Sequence, residues 1–343
     1  MLKLTMKADR PLCWVGFDTS NYTTSAAACI RNAEGRLEVI ANCKAPLPVA
    51  AGARGLRQSD AVFAHVKNLP TVVNEMRGIL ESGGYVVAGV GYSARPRDAE
   101  DSYMPCFLTG RAFAESFAAG CGVATHASSH QSGHITAALY SSGMLAECGG
   151  LPDYPFLAFH VSGGTTEAVV VRPEGGELRV ELVGGGADLH AGQVIDRVGV
   201  MMGLDFPCGR AMEALAVQNT QKIPPLKVCV RDGQCHLSGL ENQAADLWRR
   251  TGDAPLVSAF VLSFIAKSLR CMTDQLQESL AARGDRCDLG DRPLPVLYAG
   301  GVMSNRYIRP VLSEGAGWRV CFSEPAYSAD NAAGVALLCA LRS

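Results

Sequence analysis

Short apolar runs alternate along this chain with polar turns and with longer stretches of helical periodicity. Apolar residues fill 12–17 and 26–30, and the Asp-, Ser- and Thr-rich segment 18–25 between them is typical of a hairpin turn. The same strand–turn–strand pattern recurs at 156–160 and 167–171. Two copies of one supersecondary unit predict two similar α/β domains that face each other.

The period of the apolar positions predicts the remaining elements. Apolar residues at helical spacing with a polar opposite face make 257–282 a long amphipathic helix. The other predictions are strands at 85–90 and 295–299, helices at 109–119, 133–145 and 330–341, and surface loops at 222–237 and 284–292. Asp330 is well placed to cap the last helix. Strands and helices alternate, which predicts an α/β protein and excludes a helical bundle or a β-sandwich.

Composition narrows the class of protein. Of the 343 residues, 48% are hydrophobic and 19% are charged, a balance typical of a globular protein with a substantial core. The net charge of −2 gives no general attraction to nucleic acid, so an RNA partner would need a local positive patch or another subunit. We find no run of 18 apolar residues and no signal peptide, and we expect a cytoplasmic protein without membrane contact. The 13 scattered cysteines predict buried free thiols.

Three of the seven histidines, His126, His130 and His134, lie within nine residues of one another. Residues four apart share one face of a helix, so His130 and His134 could place two imidazole nitrogens on one metal ion. A carboxylate from elsewhere in the chain would be the third ligand. A pair at this spacing also arises by chance, so the pattern alone leaves a metal site and a coincidence open. His126 precedes the predicted helix and is the weakest candidate.

Glycine-rich turns follow predicted strands at 162–165, 184–186 and 300–301. Glycine lets the backbone approach a ligand closely, and successive amides can surround a phosphate. None of the three turns matches the P-loop or the dinucleotide-binding fingerprint, and each alone is typical of an ordinary turn. Together, on a duplicated α/β framework, they favour a nucleotide between two domains. The acidic run at 98–101 is expected to be a solvated loop.

Seven motifs follow one another from the first predicted strand to the last helix: "GFDTSNYTTSAAA", "SSHQSGH", "FHVSGGTTEAVVV", "GQVIDRVGVMMGLDFPCGRAMEALA", "LSGL", "YAGGVMSNRYIR" and "SADNAAGVAL". This series resembles the universal tRNA threonylcarbamoyladenosine-synthesis family, long mislabelled as O-sialoglycoprotein endopeptidases. The resemblance implies a two-lobed, actin/hexokinase-like α/β fold built from duplicated RNase H-like domains. The implied lobes are 1–134 with 326–343, and 135–325.

The resemblance also implies functional residues. The metal ligands would be His130, His134 and Asp330, with helix capping as the alternative role for Asp330. The implied catalytic residue is Asp18, which could orient the attacking amine, accept its proton, or contact a ribose. The implied nucleotide contacts are His160, Val161, Ser162, Gly163, Gly164, Asp196, Gly209, Glu213 and Asn305.

The implied reaction is acyl transfer from threonylcarbamoyl-AMP to the exocyclic amine of a tRNA adenine. It would use one divalent metal ion, most readily iron or zinc, and an ATP- or AMP-type nucleotide. The ion would polarise the reacting carbonyl, and backbone amides of the glycine turns would hold the leaving AMP. The implied partners are tRNA, a dimerising paralogue and an ATPase subunit.

The chain departs from the family pattern in three places. Residues 93–107 read "SARPRDAEDSYMPCF" where the family has a short Gly-Pro-Gly turn, and 47–70 differ from the family's Ser-Arg-x-His region. Glu241 replaces a lysine that would contact phosphate. These departures motivate two alternatives: a divergent paralogue that transfers a carbamoyl-type group to another acceptor, and a non-catalytic nucleotide-binding scaffold. Retention of the His, His and Asp set argues against the scaffold.

Overall fold

The computed structural model describes residues 10–48, 56–99, 101–285 and 292–343. The elements of this part are β1 (Leu12–Thr19), β2 (Thr23–Arg31), β3 (Leu37–Pro46), α1 (Gln58–Ser82), β4 (Val86–Arg95), α2 (Cys106–Cys121), β5 (Ala124–Ser129), α3 (His130–Ser141), α4 (Met144–Glu147), β6 (Phe156–Val161), β7 (Thr166–Glu174), β8 (Glu177–Gly186), α5 (Ala191–Met201), α6 (Gly209–Val217), β9 (Cys229–Arg231), β10 (Gln234–His236), α7 (Ser238–Thr251), α8 (Ala254–Ala282), β11 (Val296–Ala299), α9 (Ile308–Ser313), β12 (Val320–Phe322) and α10 (Ala333–Arg342). Short 3₁₀ turns lie at Gly301–Ser304 and Pro325–Tyr327.

The chain forms two units, Met1–Leu151 with Ala329–Ser343, and Pro152–Ser328. The first boundary predicted from the sequence, at residue 134, lies inside α3. The structural grouping keeps all of α3 and α4 with the first unit, because α3 packs against α10 of that unit and against β4 and β5. The chain returns to the first unit at Ala329, three residues beyond the position of 326 predicted from the sequence.

The first unit is built on a five-stranded sheet in the order β3-β2-β1-β4-β5. The predicted hairpin is confirmed as β1 and β2, which pair antiparallel, while β4 and β5 run parallel to β1. Phe17 points into a core formed with α1 and α2. Its neighbour Gly16 lies against the backbone of α10 on the opposite face. Side chains alternate along a strand, so Asp18 points to the face that carries α10 and α3.

The second unit repeats this order. Its seven-stranded sheet contains β8-β7-β6-β11-β12, with the same parallel and antiparallel pairs as the sheet of the first unit. The predicted duplication of an RNase H-like α/β domain is therefore confirmed. The prediction of a loop at 222–237 is wrong in part, because β9 and β10 form a small hairpin there that extends the sheet beyond β8.

The core of the second unit is organised around α8, which the sequence predicted over 257–282. Its N-terminus is three residues earlier, since Asp253 accepts a hydrogen bond from the amide of Leu256 and caps the helix. By length and composition α8 could cross a membrane, but 78% of its most apolar window is buried inside the protein. It is the central helix of an apolar core that includes Phe264, Ile265 and Met272.

Two predicted helix starts move in the structure. The helix predicted at 133–145 begins at His130, because the Ser129 side chain accepts a hydrogen bond from the amide of Ser132. The prediction that Asp330 caps the last helix is wrong: Asn331 accepts the hydrogen bond from the amide of Ala333 instead. The predicted loop at 284–292 falls mostly outside the described residues.

Candidate metal and nucleotide sites

His130 and His134, at the start of α3, lie next to the carboxylate of Asp330, which precedes α10. The His130 and His134 Nε2 atoms are 3.0 Å apart, and the His134 Nε2 lies 3.3 Å from the Asp330 Oδ1. The His130 Nε2 lies 3.7 Å from the same oxygen. All three ligand atoms fall within 4.8 Å of one another, and each residue is partly buried. The three residues that the sequence proposed as metal ligands therefore converge within the first unit.

The spacing of these atoms fits a single cation. Ligands about 2.1 Å from an ion in tetrahedral or octahedral geometry are separated by roughly 3.0–3.4 Å. Two imidazole nitrogens and one carboxylate oxygen are a donor set for first-row divalent metals such as iron or zinc. The two Nε2 atoms face each other, so a shared proton or a cation must separate their lone pairs.

Asp18 holds the first histidine from behind. Its carboxylate oxygens lie 3.1 and 3.0 Å from the His130 Nδ1, and its side chain has no exposed surface. A carboxylate accepts only, so His130 donates through Nδ1 and presents the Nε2 lone pair to the ligand position. This arrangement favours orientation of a metal ligand by Asp18, whereas its predicted contact with an attacking amine or a ribose stays a prediction.

Asp330 is held from the β1–β2 turn. The Ser20 hydroxyl donates to the Asp330 Oδ2 at 2.7 Å, and the Ser20 carbonyl oxygen lies 2.9 Å from the Nε2 of the buried His65. Because a carbonyl only accepts, His65 donates through Nε2, and its Nδ1 accepts from the Thr24 hydroxyl at 2.8 Å. This chain of buried hydrogen bonds fixes the carboxylate on the side away from the imidazoles.

The electrostatics of the cluster favour a positive charge. Burial by itself lowers the pKa of His130, but the charge and hydrogen bond of Asp18, with the charge of Asp330, raise it to about 9. Burial raises the pKa of Asp330, but the hydrogen bond from His134 and the charges of both imidazoles hold it well below its usual range. The field that holds a proton on His130 also attracts a divalent cation.

Sequence reasoning missed Ser20 and His65. Ser20 lies in the hydroxyl-rich turn that was identified, but nothing in the turn's composition distinguishes it from its neighbours. His65 lies at helical spacing from Ala61 and Leu69, on the buried face of α1. A single histidine on such an apolar face is the sequence signal that could have identified it.

In the second unit, the turn between β6 and β7 has the form expected of an anion-binding loop. Gly163 and Gly164 are exposed, and a Cβ built on either would meet nothing within 4 Å. The Ser162 hydroxyl accepts from the Gly164 amide at 3.3 Å, and the Ser162 carbonyl accepts from the Gly192 amide at the start of α5. Val161 is fully buried, backbone included, so its predicted contact with the nucleotide stays a prediction. His160 is partly buried on the same strand.

The other predicted nucleotide residues lie on α5, on α6 and just before α9. Asp196 on α5 accepts a hydrogen bond from the amide of Cys208 at 2.8 Å, directly before Gly209 opens α6. Glu213 on α6 accepts from the amide of Arg306 at 3.2 Å. The adjacent Asn305 is 6% exposed, and its side chain accepts from two amides at the start of α9. These residues form one connected series, in which Asn305 has a structural role.

The replaced lysine position is engaged in an ion pair. Glu241, in the first turn of α7, lies 3.1 Å from the guanidinium of Arg197, the residue after Asp196. Both side chains are partly exposed, so the pair contributes little to stability. Its effect is to neutralise a positive charge beside the predicted nucleotide residues.

A model of the TsaD family, described as tRNA N6-adenosine threonylcarbamoyltransferase, matches residues 103–337. The chain belongs to this family. A tRNA N6-adenosine threonylcarbamoyltransferase of Maricaulis maris (strain MCS10) is 28% identical over 346 aligned positions, covering 96% of this chain and 85% of the relative. The matched region includes His130, His134 and Asp330. The predicted family and its enzyme class, an acyl transferase of the carbamoyl type, are confirmed.

Solved structures of low sequence identity share the fold of this TsaD-family chain. HypF of T. kodakarensis aligns with 97% of this chain and 47% of its own length, at 13% identity and a TM-score of 0.52. Component A of (R)-2-hydroxyglutaryl-CoA dehydratase from Acidaminococcus fermentans aligns over 97% of both chains, at 14% identity and a TM-score of 0.46. The predicted actin/hexokinase-like α/β fold class is confirmed by the matching strand order of the two sheets, and the alignment with HypF agrees with it.

Proposed function

We propose that this chain transfers a threonylcarbamoyl group from threonylcarbamoyl-AMP to the N6 amine of a tRNA adenine, with a divalent cation held by His130, His134 and Asp330. The observation that carries the proposal is the convergence of these three ligand atoms within 4.8 Å. Family membership supplies the reaction class, and the donor set favours iron or zinc as the ion.

The side chains around the cluster have separate tasks. A bound cation would supply Lewis acidity toward the carbonyl of the mixed anhydride. Asp18 accepts from the Nδ1 of His130, so that Nε2 is the nitrogen turned toward the ion, and Ser20 donates to the second carboxylate oxygen of Asp330. Asp18 and Ser20 are both buried, which favours a ligand geometry that is set before substrate binds.

The nucleotide half of the substrate is assigned to the second unit. The exposed residues Gly163 and Gly164 place no side chain in the way of a phosphate. The Gly163 amide could donate to a phosphate oxygen, and the Gly164 amide could do so in exchange for its present acceptor, the Ser162 hydroxyl. The carboxylates of Asp196 and Glu213 are polar groups on neighbouring helices that can contact the ribose and base. AMP is the leaving group of the reaction. Backbone donors would stabilise the negative charge that develops on its phosphate as the bond to the carbonyl carbon breaks.

The small net charge of the chain favours a partner protein that helps to bind tRNA. A net charge of −2 leaves little general attraction for tRNA, so a partner subunit would supply the remaining positive field. Phe63 and Val66 on α1 are 62% and 57% exposed, which favours a protein partner on that helix. We assign these roles to a dimerising paralogue and an ATPase subunit, and we place the reaction in the cytoplasm.

Reconstitution tests the proposal directly. The purified chain and its partner proteins are incubated with unmodified tRNA and threonylcarbamoyl-AMP, and the nucleosides are quantified by mass spectrometry. We expect threonylcarbamoyladenosine from the native chain and a loss of at least about 100-fold for His130→Ala. The matched control is His126→Ala, four residues earlier on β5 and outside the cluster, which retains activity. Equal activity in the His130→Ala variant contradicts the assignment of the metal site.

A second candidate function is favoured by the Arg197–Glu241 ion pair. This pair neutralises a charge where phosphate would be held, and the segment 93–107 differs from the family's short turn. A divergent paralogue would transfer a carbamoyl-type group to a different acceptor. The same reconstitution distinguishes the two: release of AMP together with the threonylcarbamoyl group found by mass spectrometry on an added amine acceptor, and not on tRNA, identifies the alternative.

A further inference from the structure

The segment that replaces the family's short turn is attached to the helix that carries both histidines. Asp98 was expected in a solvated loop, but its side chain is only 26% exposed. Its Oδ2 accepts hydrogen bonds from the hydroxyls of Ser129 and Ser132, each at 2.7 Å. The guanidinium of Arg95 donates to its Oδ1 at 3.2 Å.

The backbone of the same segment makes a further contact. The amide of Gln131 donates to the carbonyl of Pro96 at 3.0 Å. The first amides of a helix have no partner inside the helix and must find one elsewhere. Here Gln131 is satisfied by the segment, and Ser132 is satisfied by the Ser129 hydroxyl that Asp98 holds. The first turn of α3 is therefore closed from outside by residues 95–98.

His130 lies within this closed turn. Its backbone is flanked by Ser129 and Gln131, both of which contact the segment. Further along, the segment runs into α2, where the Phe107 ring lies 5.8 Å from the His130 ring. Residues 95–98 thus contact the first turn of α3, and Phe107 contacts the imidazole of His130.

We propose that Asp98 is a positioning residue for the metal site, which fixes the first turn of α3 so that His130 meets the cation. The inference rests on the proposed metal function and adds a role for a part of the chain that departs from the family pattern. A negative charge at a helix N-terminus also opposes the helix dipole favourably. Asp98 acts through Ser129 and Ser132 and does not touch the ligand position itself.

Two measurements on metal-free protein test this role. Zinc is titrated calorimetrically, and hydrogen exchange of the amides of the first turn of α3 is followed by mass spectrometry. For Asp98→Ala we expect zinc affinity to fall at least about 10-fold and exchange in this turn to accelerate. For Asp98→Asn, which keeps an acceptor oxygen for both hydroxyls, we expect a smaller loss of affinity.

The matched control is Asp101→Ala, an exposed carboxylate in the same segment, which should change neither quantity. Native zinc affinity or native exchange in Asp98→Ala overturns the positioning role. Should Asp98→Ala not fold, native affinity in Asp98→Asn together with unchanged exchange in Ser132→Ala overturns it. If the native chain binds neither zinc nor iron, the proposed metal function is overturned instead. Comparison of hydrogen exchange in the native chain and in Asp98→Ala then still tests whether Asp98 stabilises the first turn of α3.

Discussion

At the scale of single residues, the decisive arrangement is a buried acid behind His130, one of the three proposed metal ligands. Asp18 has no exposed side-chain surface, and an unpaired carboxylate in such a place would be very costly. The His130 Nδ1 supplies its partner, and this hydrogen bond selects the tautomer that leaves Nε2 free. One contact therefore satisfies a buried charge and prepares a ligand.

Asp18→Asn tests this arrangement. The amide oxygen can still accept from His130, but the negative charge that raises the basicity of the ring is lost. We expect zinc or iron affinity to fall about 10- to 100-fold, measured by competition with a chelator of known affinity. Asp60→Asn, at an exposed position on α1, is the control and should leave affinity unchanged. Unchanged metal affinity in Asp18→Asn would contradict its role in orienting His130 and would leave the predicted contact with substrate as its role.

The sequence predicted part of this cluster and could not predict the rest. His130 and His134 followed from helical spacing, and Asp330 followed from the family motif. The hydrogen bonds of Ser20 and His65 join residues that are far apart in the chain, and no local pattern encodes such pairs. The fixed position of Asp98 was missed for the same reason, because a charged run has the same composition whether it is solvated or bound to a helix end.

At the scale of elements, α3 and α10 cross at two glycines, and this crossing brings Asp330 to the histidines. A Cβ built on Gly334 would lie 1.8 Å from the carbonyl oxygen of Gly133. Helix backbones approach this closely only where both lack side chains at the contact. The ligands of α3 and the carboxylate before α10 therefore depend on a helix contact as well as on their own side chains.

Gly334→Ala should separate these helices. We expect the first unit to lose about 2–3 kcal/mol of unfolding free energy, because neither backbone can move away without disturbing the sheet beneath. Metal affinity should fall with it, and denaturant melts with a metal titration measure both. Gly120→Ala on α2 is the control, since nothing lies within 4 Å of its built Cβ and alanine is the better helix former. A native melt for Gly334→Ala would show that the crossing is not tight.

Continuous apolar runs on either side of a polar turn made the β1–β2 and β6–β7 hairpins predictable. β5 was not predicted because its six residues, "ATHASS", are mostly polar and largely exposed at the edge of the sheet. α1 was not predicted because it contains Pro70 and its apolar stripe is interrupted by polar residues, including the buried His65. In both cases packing of the whole unit overrides weak local preference.

At the scale of the whole molecule, acid stability of the first unit should depend on the buried His65. Burial lowers its pKa, and its backbone hydrogen bond to Ser20 and the charge of Asp18 offset only part of this effect. In the unfolded chain the imidazole titrates near 6.5. As pH falls below that value, the unfolded state takes up a proton that the folded state does not, so stability decreases. Above about pH 6.5 this contribution is constant.

His65→Gln provides the test. Glutamine can replace both hydrogen bonds but does not titrate, so the variant should lose less stability than the native chain between pH 6.5 and 5. Denaturant melts of metal-free protein at several pH values measure the slope. His236→Gln, at an exposed position on β10 of the second unit, should keep the native slope. Parallel slopes for His65→Gln and the native chain would assign the acid sensitivity to other groups.

The interrupted order of the first unit has a consequence for biosynthesis. Residues Ala329–Ser343 complete that unit, yet the ribosome makes them only after the whole of Pro152–Ser328. Until α10 is made, one face of the sheet of the first unit lacks this helix. The second unit is translated during that time and can already fold. The three side chains of the proposed cation site are therefore present together only after translation passes Asp330, so metal would be bound after synthesis of the chain and not during it.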